Sequence, residues 1–376
     1  MKQIFTLLVI PLFFACSTIQ PTTSGSYYDH IVFQPDETYA STRIPALVVT
    51  NSGALLAFCE GRINSSSDWA DMNLLMRRST NGGKTWEPIK ILDSMKGAPV
   101  GNPTPIVDDK GTIHLLYQKD YAKAYHITSD DDGRTWSAPV DITPVFDQFK
   151  KEYDWKVLAP GPGHGIQLQN GRLLSAVWLA DSDKLTPRRN HHPSCVATIY
   201  SDDHGATWQR GEIVADNSAH IKDPNESMPV QLKDGTVLLC IRNMQSDLLR
   251  AFSYSKDGIG NWTAPVYKEE LFDPICMASI IALTKKGKSI LLFSNPDSKN
   301  IEKNPRENLT IKASLDNGNS WSKKTIINPG ASGYSDLAVD NKGNVYCLYE
   351  TNTQQNKGFT YSLVIKKIDT DWIFKK

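Results

Sequence analysis

A turn motif of the form Ser-x-Asp-x-Gly-x-Thr-Trp recurs along the chain, and short glycine turns stand between its copies. With no sustained helical periodicity, these observations predict an all-β protein folded as a six-bladed β-propeller. The motif runs Ser79–Trp86, Ser129–Trp136, Ser201–Trp208 and Ser314–Trp321, with a decayed copy from Ser255 to Trp262. Successive copies begin 50, 72, 54 and 59 residues apart, the interval expected of one four-stranded blade. Each copy reads as a turn, because Asp and Asn side chains bond backbone two residues on and Gly supplies positive φ. Strand-like runs precede the four clear copies (Leu74–Met76, Ala124–Ile127, Val196–Tyr200, Leu309–Ala313), and the Trp is expected to open the next strand. Six further turns end at Gly53, Gly111, Gly171, Gly235, Gly287 and Gly343, one for each expected blade.

Taken in order, the chain opens with Met1-Lys2, an apolar run from Ile4 to Ala15, and Cys16. That order of charge, apolar stretch and small residue is the pattern of a secretion signal. The run is too short to span a bilayer as a helix, which takes ~20 apolar residues. The Ala15-Cys16 step resembles the bacterial lipoprotein cleavage site. It implies lipidation of Cys16 and export to the outer membrane or periplasm; an ordinary signal peptide with an incidental cysteine is the alternative. Residues 17–26, rich in Ser, Thr, Pro and Gly, read as a flexible tether, and 27–376 as the propeller domain.

The 41 basic and 41 acidic side chains cancel, so no net field favours nucleic acid or an anionic membrane surface. Membrane contact is expected only through the lipid anchor. Cys59, Cys195, Cys240, Cys276 and Cys347 mostly lie in apolar runs without Cys-x-x-Cys spacing, and an odd number leaves at least one unpaired. They read as small buried hydrophobes. The His191-His192 pair has no helical ligand spacing, and no phosphate-binding glycine loop is present, so neither a metal nor another cofactor is expected.

The turn repeat resembles the Asp-box of sialidases and of several other propeller families, which bears on fold and not on function. The functional signal lies in other segments. These are Thr42-Arg43-Ile44-Pro45, Glu60-Gly61-Arg62 followed by Asp68, Gly101-Asn102-Pro103-Thr104-Pro105, and Gly161-Pro162-Gly163-His164-Gly165. Further on come Asn225-Glu226-Ser227, Ile241-Arg242-Asn243, Ser294-Asn295-Pro296, Arg306-Glu307-Asn308-Leu309, Tyr334-Ser335-Asp336-Leu337 and Leu348-Tyr349-Glu350. Together they resemble the microbial and animal exo-α-sialidases over nearly the whole mature chain.

The resemblance implies a retaining glycosidase acting on terminal sialic acid of glycoproteins, glycolipids and oligosaccharides. Arg43, Arg242 and Arg306 would hold the substrate carboxylate, since a guanidinium binds carboxylate bidentately and stays charged at any working pH. Glu350 would orient Arg43. A carboxylate nucleophile would be repelled by that same substrate anion, whereas a neutral phenol is not; sialidases are the known exception to two-carboxylate glycoside hydrolysis. Tyr334 is therefore the expected nucleophile and Glu226 the base that takes its proton. Asp68 is the expected acid and base at the leaving oxygen, with Asp71 a rival three residues on. Arg62 and Asn102 would contact the sugar beyond the carboxylate. Asn102 stands where many bacterial relatives carry Asp and animal relatives Asn, which leaves the reading of the O4 and N-acyl side open. Trp178 would stand near the glycerol tail or else belong to the core, and Trp69 would line the N-acetyl pocket.

Two other readings compete, beside a relative specific for the deaminated nonulosonate, which turns on the N-acetyl pocket at Asn102 and Trp69. A non-catalytic glycan-binding propeller needs only the repeats, and comparing Tyr334→Phe with the wild type in an activity assay separates it. A trans-sialidase or intramolecular trans-sialidase shares the catalytic set and differs in product.

Overall fold

The computed structural model describes residues 29–182, 190–300, 305–352 and 361–375. The expected Cys16 anchor and the 17–26 tether lie outside them. Strands dominate. The only helical pieces among the described residues are Thr143–Asp147 and two single 3₁₀ segments, Gln148–Lys151 and Asp371–Phe374. None of these is long and apolar enough to cross a membrane.

Four sheets are antiparallel meanders of neighbouring strands. The first holds Ser41–Val49, Leu55–Arg62, Met72–Ser79 and Lys90–Ser94, and the second Val100–Val107, Ile113–Lys119, Lys123–Ser129 and Val140–Asp141. The third holds Val157–Pro160, Leu173–Ala180, Ser194–Ser201 and Gln209–Asp216, with Ile166–Gln167 added beside Leu173–Ala180. The fourth holds Ser227–Gln231, Val237–Ile241, Leu249–Ser255 and Val266–Phe272. A seven-stranded sheet contains the remaining strands. Its long strand Lys323–Val339 pairs with Glu307–Ser314 through its first half and with Val345–Thr351 through its second. The N-terminal strand Asp29–Phe33 closes this sheet by pairing with Ser362–Ile368.

Second strands such as Leu55–Arg62 and Leu173–Ala180 are buried along their whole length. Leu55–Cys59 is an unbroken apolar run and Leu173–Ala180 is broken only by Ser175, because both faces are covered by neighbouring sheets. Phe58 and Met76 of the first sheet share a buried cluster with Ile113 and Tyr117 of the second. Leu116 and Val177 belong to a cluster between the second and third sheets, and Trp178 and Ile241 to one between the third and fourth. Phe252 of the fourth sheet and Phe293 of the seven-stranded sheet lie in one cluster, and Leu292 and Leu337 in another within the seven-stranded sheet. Leu348 and Ile365 then pack on Leu55 and Ala57 of the first sheet, so the sheets form a closed, propeller-like ring.

Each of the six glycine turns joins two successive antiparallel strands, with Gly53, for instance, at φ +88°. The boxes lie at the same end of the ring. Ser129 accepts the Gly133 N–H at 2.9 Å, Asp131 accepts the Thr135 N–H at 2.8 Å, and the Trp136 indole donates to the Gly133 carbonyl at 3.2 Å. The next strand starts after the Trp (Lys90 after Trp86, Val140 after Trp136), so the indole closes the turn and does not open the strand. In the copies at Trp208 and Trp262 the indole N–H is buried without a partner. All five described cysteines are free and buried, as small hydrophobes should be.

Candidate active site

The site is assembled at the end of the ring opposite the turns, where first strands begin. The ladder between Ser41–Val49 and Leu55–Arg62 slips between Arg43 and Ala46, and Ile44 in that gap sits at φ +61°. A β-branched residue avoids that region, so the surroundings must hold it there. Glu350, fully buried, does so by accepting the Ile44 N–H at 3.0 Å. Its two oxygens also take Arg43 Nε at 3.1 Å and Nη2 at 3.2 Å, the planar fork-to-carboxylate match. Glu350 further accepts the Tyr334 N–H at 3.0 Å. Gly333 makes that contact feasible, because a Cβ there would stand 2.2 Å from the carboxylate.

Arg242 follows Val237–Ile241 and Arg306 precedes Glu307–Ser314. The guanidinium carbons of Arg43, Arg242 and Arg306 lie 5.2, 6.0 and 5.6 Å from the Tyr334 ring centroid, so three cations from three strand groups converge on one ring. The Tyr334 hydroxyl donates to Glu226 at 2.7 and 2.9 Å, and Arg242 bonds both Glu226 and, at 3.4 Å, the phenol oxygen. Burial pushes the Tyr334 phenol up, the Arg242 charge draws it down and Glu226 pushes it up again, leaving it well above its usual value. The phenol is therefore neutral, with its proton already directed at a carboxylate.

Asp68 stands on the loop after Leu55–Arg62 with its side chain 48% exposed, paired to Arg62 at 2.9 Å and Arg43 at 3.7 Å. Partial burial works upward on its carboxyl, but Arg62 and Arg43 outweigh it and hold the group below the usual carboxylate range. Asp71 accepts the Gly97 N–H at 3.1 Å and does not border the cleft. Arg62 is fully buried beneath the wall, bound to Glu60 at 2.7 and 3.1 Å. Glu60 also accepts the Asn102 N–H at 2.9 Å, and a Cβ at Gly101 would collide with it at 2.0 Å. Asn102, at φ +56°, borders the cleft.

The cleft encloses about 190 Å³ and brings together Arg43, Asp68, Asn102, Glu226, Arg242, Arg306 and Tyr334. Trp178 borders it too, only 4% exposed, with its indole N–H unpartnered. Trp69 does not line the cleft: its ring packs behind Tyr121 at 4.9 Å and His191 at 5.0 Å, and those two occupy the wall. Tyr121 and His191 were not anticipated as site residues. His191 is signalled in the sequence by the His191-His192 pair, which lacks metal-ligand spacing. Burial draws its imidazole down to about 4 against the pull of Asp68, so it is neutral at ordinary pH. Glu60, within the Glu60-Gly61-Arg62 motif, is the buried carboxylate that anchors Arg62. Among the described residues, Asp108, Asp109 and His204 stand close enough for cation ligation. They lie at the turn end of the ring, where His204 Nδ1 meets Asp108 at 3.3 Å.

The family described as BNR repeat-like domain matches residues 53–347. A sialidase of Bacteroides fragilis (strain YCH46) is 31% identical across 84% of this chain and 61% of its own length. A sialidase of Micromonospora viridifaciens is likewise 31% identical, across 84% of this chain and 51% of its own. The chain thus spans roughly half to three-fifths of these relatives. Among solved structures, the Hadza microbial sialidase Hz136 superposes with a TM-score of 0.76 at 30% identity, covering 91% of this chain and 68% of that one.

Proposed function

The chain belongs to the BNR-repeat sialidase family, and from that premise we propose that it is a retaining exo-α-sialidase releasing terminal sialic acid from glycoconjugates. One observation carries the reading: the Tyr334 hydroxyl donates to Glu226 within reach of three arginines. The substrate carboxylate binds the guanidinia, and the anomeric carbon stands over the phenol oxygen. Tyr334 Oη attacks that carbon as its proton passes to Glu226, and Asp68 protonates the departing oxygen. In the second step Asp68 takes a proton from water, whose oxygen displaces tyrosine, and Glu226 returns the phenolic proton. Two inversions give net retention.

Arg62 and Arg43 favour the ionised form of Asp68. The incoming carboxylate takes up Arg43 and offsets its charge, so bound substrate raises the proton affinity that an acid needs. His191, neutral beside Asp68, adds no competing cation. Arg62 and Asn102 serve the sugar's far side, Arg62 through Asp68 and Asn102 directly, with Trp178 on the wall.

Two further parts belong to the proposal. The ring is read as six blades, the seven-stranded sheet being two blades that share Lys323–Val339. Export with a lipid on Cys16 is supported by the sequence alone. Asp29 begins at the turn end of its strand, since its partner Lys366 lies near Ile368, which faces Val345 just past the last glycine turn. The test is turnover of an aryl sialoside with the product followed by NMR. Free sialic acid supports hydrolysis, a transferred or anhydro product moves the chain to the trans-sialidase readings, and no turnover by the folded chain overturns the proposal.

A further inference from the structure

Between the fourth sheet and the seven-stranded sheet runs a short connection, Asp273-Pro274-Ile275-Cys276, that lies outside every motif discussed above. Its Ile275 carbonyl accepts Arg242 Nη2 at 3.0 Å and also bonds Arg306 Nη2. Two guanidinia that repel each other are thus joined through one oxygen, whose two lone pairs serve both. Presenting that carbonyl puts Ile275 at φ +54°. Such a conformation costs a β-branched residue about 1–3 kcal/mol and persists only where the surroundings over-determine it.

The surroundings here are a buried ion pair. Arg250 and Asp273 have side chains 1% and 2% exposed, with Nε and Oδ2 3.3 Å apart. Arg250 Nη2 donates to the Cys276 carbonyl at 2.6 Å, and Asp273 Oδ1 accepts the Cys276 N–H at 3.0 Å. The Asp273 N–H is tied to the Leu248 carbonyl at 2.7 Å. The peptide is therefore gripped on both sides of Ile275. We propose that the Arg250–Asp273 pair, acting through the Ile275 carbonyl, positions Arg242 and Arg306 for a substrate carboxylate. Arg250 and Asp273 are positioning residues that touch no substrate. The inference rests on the sialidase reading for the identity of that carboxylate.

Calorimetric binding of sialic acid, paired with thermal unfolding, tests it in the full chain. Asp273→Asn leaves the buried Arg250 without its counter-charge and is expected to lower Tm as well as affinity. Ile275→Gly separates the two effects, because glycine adopts φ +54° without strain and keeps the carbonyl but frees the peptide to move. For Ile275→Gly the expected result is a Kd for sialic acid weaker by about tenfold, equivalent to one charge-assisted hydrogen bond, with Tm equal to or above wild type. A purely structural role would leave the Kd of the folded variant alone. Wild-type affinity in folded Ile275→Gly overturns the inference while the sialidase reading stands. A wild-type chain that neither binds nor cleaves sialic acid overturns both.

Discussion

Under the proposed mechanism, Tyr334 and Asp68 face opposite electrostatic problems. Tyr334 must arrive protonated yet lose its proton on attack, and its buried bond to Glu226 provides for both. Tyr334→Phe is expected to lower kcat on an aryl sialoside by on the order of 10³-fold or more. Its Tm should stay near wild type; substantial turnover would remove Tyr334 from the nucleophile's role. Asp68 must carry a proton that Arg62 and Arg43 discourage. A carboxyl held low is protonated less and less as pH rises, so kcat on natural glycosides should fall with rising pH. It should fall less for an aryl leaving group that needs no proton. Removing Arg62 together with its buried partner, as Glu60→Gln/Arg62→Gln, lifts the Asp68 carboxyl and should move that falling limb to higher pH; an unmoved limb would assign the acid elsewhere. At this scale the arginines, Tyr334, Glu226 and Asp68 were legible because each lies within a short motif. Glu60, Tyr121, His191 and Ile275 were not: their contributions come from burial, ring contacts and a carbonyl that no residue type advertises.

The boxes are the element most legible from sequence, because their chemistry is local. The bonds that close the Ser129–Trp136 turn are made within eight residues, so spacing alone specifies them. Asp131 shows the energetic content. Its bonds from the Thr135 N–H and hydroxyl, then from Ser129, draw its carboxyl down to about 2 despite slight burial. A carboxyl lowered on folding contributes stability above its unfolded value of about 4, and loses that contribution as pH falls toward 2. Asp131 is largely solvent-exposed, so screening keeps the cost of Asp131→Ala at about 1 kcal/mol at pH 6. The gap to wild type in thermal unfolding should narrow between pH 4 and pH 2, and a constant gap would mean the turn depends on something other than the carboxylate. The shared strand Lys323–Val339 was not legible, because its two halves serve different partners and nothing in its residues marks the change.

Across the molecule, ring closure links stability to function. Three arginines from separate strand groups meet only if the last group packs on the first. Val32 and Phe33 in the closing N-terminal strand are each 1% exposed. Phe33→Ala should cost about 3–5 kcal/mol, read in chemical unfolding, while the folded fraction keeps its affinity for sialic acid. Weaker affinity at full folding would mean that the closing strand shapes the site directly. The repeat count made the closed β architecture legible, but not which end carries the chemistry; register decides that by setting the arginines opposite the boxes. The most direct test of the whole account is to trap the reaction with a 2,3-difluorinated sialic acid and map the adduct by peptide mass spectrometry. The account predicts one sialosyl group on the peptide containing Tyr334 and none on Tyr334→Phe. An adduct on another residue, or turnover without any adduct on Tyr334, would contradict it.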